Sequence, residues 1–456
     1  MTQQSWTVGT LSYNRKGLLK LFAWLLWGDF MIMLMMSVLP QLLPLSLKSL
    51  GATNATIGLL VGTIPVALNF VMNPFISTAS DRHRGKMGRR IPFLLWPTPL
   101  ITLFLILVGF SPQIGTYLHR TALGGWCEAT TVIFILITVF SVAYQFFNLF
   151  VGSVYYYLLV DVVPSALMGR FLSLMRLVSQ LAGFFFGSYV FVYAENYMST
   201  IFLCIGLLYL VAFGAMCLGV KEGNYPPPEK TVEKFNIFTW IAGYFRQCFS
   251  NPACVAVFFL TGLFNTWWCV QNLYNFIGLK TLNLSYQTVG NINGKAALVA
   301  IPAVLIGGWL VDKIGAFKFT VISAVLMIAT AFAAFFMVNS ELTLMVFTYL
   351  LWSVASFFMM AQIPMYITIF PKEQYGQFCS ANAMVACLCM MINNYGIGKL
   401  VDIMQDNYIY LFLYLGICWA LMAIPLLLIA KFKHHLQKTD IVPVITKIVP
   451  GNTIVT

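Results

Sequence analysis

The chain has 456 residues, 60% hydrophobic and only 9% charged, with a formal net charge of +12 and a mean hydropathy of +0.84. A water-soluble protein of this length needs far more charge to cover its surface, whereas apolar side chains can face lipid in a bilayer. The basic residues sit in short loops rather than in one patch, which argues for membrane topology and against a nucleic-acid partner.

A spanning segment must satisfy its own backbone hydrogen bonds, so it is a helix or part of a closed barrel. Runs such as 98-TPLITLFLILVGF-110 and 132-VIFILITVF-140 lack the two-residue alternation of a barrel strand. Helices are therefore expected. The N-terminal stretch is polar and shows no cleavage site ahead of the first span, so no removable signal peptide is expected.

At about 20 residues per span, the hydrophobic segments in the first half lie near 20–46, 55–79, 92–111, 129–160, 170–193 and 199–220. A polar, Pro-rich stretch, 221-KEGNYPPPEKTVEKFN-236, divides the chain, and 237-IFTWIAGYFRQCF-249 reads as an amphipathic helix on the membrane surface. The second half has segments near 252–277, 287–311, 319–338, 342–370, 377–401 and 408–431. The expected domains are a six-helix bundle over 1–220, a cytosolic linker over 221–251, a second bundle over 252–431 and a cytosolic tail over 432–456.

With a cytosolic N-terminus, twenty basic residues fall in inside loops or tails and only Lys48, Arg120 and Lys280 outside. That asymmetry predicts both termini inside and an even number of spans. Two internal repeats agree. The tripeptides 56-TIG-58 and 288-TVG-290 precede 81-DR-82 and 312-DK-313 by 23 and 22 residues, and 164-PSALMGRFLS-173 matches 371-PKEQYGQFCS-380 as P-x4-G-x-F-x-S. A duplicated six-helix unit is a transporter architecture, with its substrate site between the halves near the midplane.

The loop after span two reads 73-NPFISTASDRHRGKMGRRIPF-93. Its aspartate–arginine pair and its glycine–arginine–arginine cluster resemble the loop signature of the major facilitator superfamily. The proline–phenylalanine that follows resembles two branches, the glycoside–pentoside–hexuronide cation symporters and the sucrose–proton symporters. The stretches 157-YLLVDVVP-164, 169-GRFLSLMRLVSQLAG-183 and 28-GDF-30 resemble further motifs of these branches, so the matches cover roughly residues 20–190. The resemblance implies an all-α fold of twelve helices in two pseudo-symmetric bundles. It also implies secondary transport of a saccharide or glycoside, by symport.

At the cytosolic helix ends, Asp81, Arg89 and Arg90 can clamp helices across the two halves in one conformation and release them in another. Asp161 is a candidate partner for Arg82 or Arg89, and Asp312 holds the repeated place in the second half. Read as topology signals, the arginines would need no partner at all.

Ionisable residues inside spans are costly and are functional candidates by default. Asp29 lies roughly 13 Å from the cytosolic edge, Arg176 roughly 10 Å from it, and Lys295 enters roughly 13 Å from outside. Asp29 and Arg176 are expected in a substrate site, where both can hydrogen-bond sugar hydroxyls. The resemblance implies the same for these two positions. The structural alternative is an ion pair fixing span one against span five. Lys295 hints at an acidic group on the solute. In the glycoside symporters, sodium is held by two span-two aspartates; the matching positions here are Asn69 and Asn73, and a span-four acid falls at Gly152. Sodium prefers several anionic oxygens, so proton coupling or uniport is expected instead.

A sugar site needs amides and hydroxyls for the ring's edge and aromatic faces for its C–H surface. Candidates in span seven are Asn265, Trp268, Asn272 and Asn275, which share one helical face. Others are Tyr144, Gln145, Asn148 and Tyr155 in span four, Gln180 one turn from Arg176, and Asn382 with Asn393 in span eleven. For each, helix–helix hydrogen bonding is the competing reading. Asn393 and Asn394 could also be interfacial.

The ten cysteines are scattered without a CxxC pair, and no Walker loop, HExxH or nucleophile elbow occurs. Neither an enzyme nor a cofactor or metal site is expected. The expected partners are a small solute, a proton and membrane lipid. A monomer in the cell membrane is expected (the inner membrane, if the source is bacterial). The alternatives are the same fold carrying a nucleoside, a sugar acid or a drug, or a non-transporting assembly or sensor protein.

Overall fold

The computed structural model describes residues 6–123, 126–225, 237–371 and 374–436. Expectations for 226–236, for Lys372 and for the tail past 436 lie outside the described residues.

Among the described residues, eleven helices are long and apolar enough to cross a membrane. They are Arg15–Ser49, Asn54–Arg82, Ile91–Ala122, Ala129–Val162, Ser165–Gly219, Pro252–Thr281, Tyr286–Ile314, Ala316–Met337, Glu341–Ile369, Tyr375–Ile403 and Tyr410–Phe432. Ser165–Gly219 comprises the two passes expected at 170–193 and 199–220. The Phe171 ring packs on Phe22 with centroids 4.8 Å apart, and Gly219 packs against Trp24. Between them, the Ser46 hydroxyl at the far end of span one meets the sulfur of Met198 at 2.7 Å. The chain therefore runs the length of span one and returns. It reverses through a π-helical turn, Phe186–Val190, a 3-10 turn, Phe191–Tyr193, and a non-helical Tyr197. Continuous helical hydrogen bonding hides the boundary, and the passes among the described residues number twelve.

Local signals start the helices where polar side chains can cap free N–H groups. Asn14 caps span one, accepting from the Gly17 N–H at 2.7 Å, and Ser285 caps span eight. Ser340 and Thr343 form a capping box ahead of span ten. Span seven is broken at Asn265, which ends Pro252–Phe264 and starts Thr266–Phe276. Span twelve is likewise interrupted, between Tyr410–Ala420 and Ala423–Leu436. A helix at Ile237–Phe249 coincides with the expected amphipathic segment. The polar N-terminus is not structureless: Trp6–Val8 and Leu11–Tyr13 pair antiparallel around Gly9, whose φ of +55° suits the turn.

Spans one to six pack on one another, as do spans seven to twelve, and the two groups meet along two seams. On one seam the π-helical start of span two, Gly58–Thr63, lies against span eleven. A Cβ on Gly58 or Gly62 would run into the Asn394 backbone carbonyl or side chain. On the other, Gly187 meets Gly290 and Gly294 of span eight so closely that a Cβ on Gly294 would overlap Ser188. Small residues permit such backbone approach. Both seams lie toward the end opposite the termini, so that end is closed and the cleft opens toward the termini.

Candidate functional site

A cavity of about 290 Å³ lies in the cleft, at the low end of the range of roughly 300–1,000 Å³ for ligand pockets. Its first-half wall comes from span five, where Ser173, Arg176 and Gln180 fall one turn apart along one face. Its second-half wall is Trp267 and Trp268 at the restart of broken span seven, Ile301, Val304 and Leu305 of span eight, and Trp352, Ser356 and Met359 of span ten. The Trp352 indole stands edge-on to Trp267 and Trp268, with centroids 5.6 and 6.5 Å apart.

Asp29 is wholly buried behind this wall. The Ser179 hydroxyl lies 3.0 Å from one carboxylate oxygen and 2.9 Å from the Met175 carbonyl, so its one proton is shared between them, and the other carboxylate oxygen is buried without a partner. Arg176 is within electrostatic reach of Asp29, but the two make no ion pair among the described residues. Arg176 instead stands exposed in the cavity. Ser179, next to Gln180, lies inside the stretch 169-GRFLSLMRLVSQLAG-183 but was not singled out there; its place one residue from the cavity-lining face was the further signal.

The other candidates separate into groups. Trp268 and Gln180 line the cavity with Arg176. Asn265 is half-buried at the span-seven break. The Asn272 amide donates to the Asn394 side-chain oxygen at 2.8 Å, and Asn275 accepts from Asn293 at 2.6 Å, so both amides serve helix–helix contacts. Asn382 is buried beside the Tyr366 hydroxyl, which also meets the Thr261 hydroxyl at 2.7 Å. Tyr144 is buried in the first bundle, Gln145 and Asn148 are half-buried on the same span, and the Tyr155 hydroxyl donates to the Leu25 carbonyl. Asn69 and Asn73 are half-buried in span two, and the Asn73 carbonyl oxygen is unpartnered. Lys295 is exposed on the span-eight face that carries exposed Val299 and Ile306, away from the cavity wall. Asn393 and Asn394 are buried rather than interfacial. Asn393 accepts from Tyr414 at 2.9 Å, and Asn394 packs beneath Gly58 and Gly62.

At the end bearing the termini, Asp161 accepts from both Arg89 and Arg90, and Arg90 also pairs with Asp81. Arg82 and Asp312 are exposed and make no ion pair among the described residues. Glu222, just past span six, accepts from the backbone N–H groups of Arg89, Arg90 and Ile91 at 2.9, 2.8 and 2.6 Å. It thereby caps the start of span three. The Arg89 guanidinium lies 4.1 Å from the Tyr225 ring centroid. In this conformation the whole cluster stays within the first half and its linker.

A second polar cluster, at the closed end, does join the halves. The Asp402 carboxylate accepts the backbone N–H groups of Asn54 and Ala55 at 2.7 and 2.9 Å and the Asn54 amide at 2.8 Å. That amide also reaches Asp406, its carbonyl oxygen accepts the Tyr408 hydroxyl at 2.8 Å, and Lys48 pairs with Asp406 at 2.8 Å. Sequence reasoning missed this lock. Its signal was two aspartates four residues apart at the outer end of span eleven, facing the capped start of span two.

A short segment is 37% identical to Sucrose transport protein SUT5 of Oryza sativa subsp. indica over 74 residues, which is 16% of this chain and 14% of that relative. Among solved structures, a bacterial homologue of the human lysosomal transporter Spinster, in an inward-facing, unoccupied state, aligns over 92% of this chain and 97% of its own, with TM-score 0.64 and 13% identity. A nucleoside transporter aligns over 90% and 99%, with TM-score 0.65 and 12% identity. A D-xylose–proton symporter aligns over 90% and 96%, with TM-score 0.60 and 14% identity. At such identities these likenesses establish the fold. With the Major Facilitator Superfamily model matching residues 25–393, the chain belongs to that superfamily and is a multi-pass membrane protein.

Proposed function

We propose that the chain carries a saccharide or glycoside by alternating access between its halves, as a uniporter or proton-coupled carrier rather than a sodium symporter. The observation that carries this reading is the cleft cavity. It combines the Arg176 guanidinium and the Gln180 amide with indole faces, and Asp29 sits buried behind them. Charge-assisted and amide hydrogen bonds suit hydroxyls, while indole faces suit the C–H surface of a sugar ring. The local likeness to a sucrose transport protein supports the substrate class. Asn69 and Asn73, in place of carboxylates, supply no anionic oxygen for sodium.

In this reading the termini are cytosolic, because the basic loops lie at their end. The 1–220 and 252–431 bundles move as the two rocking units, and the chain works as a monomer in the cell membrane. The Asp161 cluster holds the inner ends of the first half together, while the Asp402–Asn54 lock holds the outer end shut. Reorientation requires the lock to part.

Uptake into liposomes of a panel of mono-, di- and acidic sugars, under a proton gradient, a sodium gradient or neither, tests the proposal. Saccharide uptake that ignores sodium is expected. Asp29→Asn and Arg176→Ala should each abolish substrate binding. Variants that transport like the parent would remove both residues from the site, and a panel with no uptake would end the saccharide reading.

A further inference from the structure

The two walls of the cleft cavity differ in chemistry, and the difference bears on what the solute looks like. All the charge and amide capacity comes from span five, through Arg176 and Gln180. The two serines add little: Ser173 and Ser356 spend their protons on the carbonyls of Gly169 and Trp352, at 3.0 and 2.8 Å. Facing them, the second half presents three indoles and the aliphatic side chains of span eight. The indoles are arranged as a corner, with Trp352 at 85° to Trp267 and 84° to Trp268. The rings are in direct edge-to-face contact, so a flat ring would lie against the exposed Trp268 and half-buried Trp352, with Trp267 buried behind them.

A free disaccharide placed here would turn one sugar's hydroxyls toward a wall whose polar groups are the Ser356 oxygen and indole N–H groups, that of Trp352 being buried, too few to satisfy a second ring, and unmet polar groups oppose binding. One sugar ring can be served by the span-five wall alone. The remaining volume fits an apolar, planar substituent. Resting on the saccharide reading above, we infer that the solute is a glycoside with an aromatic aglycone. Its sugar ring lies against Arg176 and Gln180, and its aglycone lies against Trp268 and Trp352, backed by the buried Trp267. The two halves thus read different parts of one molecule. Closure of the cleft around it brings both walls to bear only when both parts are present.

The test uses the full chain in lipid nanodiscs and isothermal calorimetry, with matched pairs of methyl and phenyl glycosides in both anomers. Free disaccharides, nucleosides and an alkyl glycoside form further arms. For at least one sugar the phenyl glycoside is expected to bind at least about tenfold tighter than its methyl partner. In Trp268→Ala that ratio should fall toward one, and in Trp268→Phe, which keeps an aromatic face, it should survive. Equal binding of methyl and phenyl partners would overturn the aglycone subsite and leave the saccharide reading standing. So would a free disaccharide binding best. An alkyl chain that substitutes fully for phenyl would overturn the aromatic assignment, marking the corner as a site for lipid-like tails. Nucleoside binding without glycoside binding would overturn both readings. Should Trp268→Ala fail to fold, Trp352→Ala should lower the same ratio toward one while Trp352→Phe keeps it, and a ratio unchanged in Trp352→Ala would overturn the subsite.

Discussion

Asp161 shows how one carboxylate can organise a helix end. It is nearly buried, as is Arg90, with side-chain exposures of 9% and 6%. Removing its charge leaves Arg90 with only the exposed Asp81 carboxylate and strands a cation in a poorly solvated place. Breaking a buried pair from one side costs on the order of 3 kcal/mol. Asp161→Asn should therefore lower the melting temperature in detergent by several degrees, and a melting point equal to the parent's would refute the clamp. Deeper in the membrane, Ser179 donates to one Asp29 oxygen while the other has no partner. Because that hydroxyl also points at the Met175 carbonyl, 2.9 Å away, only part of the about 1.5–3 kcal/mol of a hydrogen bond to a charged group is at stake, so Ser179→Ala should weaken solute binding by up to about tenfold. Binding that is unchanged in Ser179→Ala would show that Asp29 needs no such support. The arginine–aspartate cluster was legible because its residues sit together in loop and helix-end motifs. Glu222 was not, because nothing local marks a linker glutamate as the cap of a helix end 132 residues earlier in the chain.

Among the elements, spans two and eleven carry the closed seam. A methyl on Gly62 would overlap the Asn394 side chain, and one on Gly58 would meet a backbone carbonyl that cannot swing aside. Gly58→Ala should hence disfavour closure at this end. Spin labels on Ser49 and Gln405, both exposed, would report it as a longer distance. An unchanged distance distribution would show that the seam tolerates the methyl. The same labels test the lock's response to acid. Burial raises the Asp406 carboxyl, but hydrogen bonds from Lys48 and Asn54, with the charges of Lys48 and Lys280, outweigh it and hold the group below its ordinary range. For a depressed carboxylate the stabilisation is present above the ordinary value of about 4 and fades as pH falls through the lowered one. Closure should thus be constant from about pH 8 to 5 and loosen only below about pH 4; opening near pH 6 would assign the lock to a different group. Within span four, Tyr144 shows the limit of reading stripes. It shares a helical face with polar neighbours, yet it is buried in the bundle, because the rotation of a span about its axis is set by its neighbours.

For the whole molecule, the two seams and the lock lie at one end and the open cleft at the other, which on the proposed reading makes this structure one member of an alternating pair. A carrier of this kind should show counterflow: solute loaded inside liposomes should accelerate uptake of labelled solute from outside. Its absence with a solute that binds would favour a sensor over a carrier. The sequence by itself determined the number and approximate position of the passes, their duplication and the basic loops, because hydropathy, turn residues and charge are local properties that a bilayer reads segment by segment. It also marked the Reversal region only as a gap between two apolar runs, since π and 3-10 turns leave no composition signature. Only the tertiary structure decided which polar groups share the cleft, that Lys295 stands apart from it, and that Asn54 meets Asp402 across 348 positions. Those outcomes depend on how twelve helices rotate and tilt against one another, a choice made by packing over the whole molecule and written in no single segment.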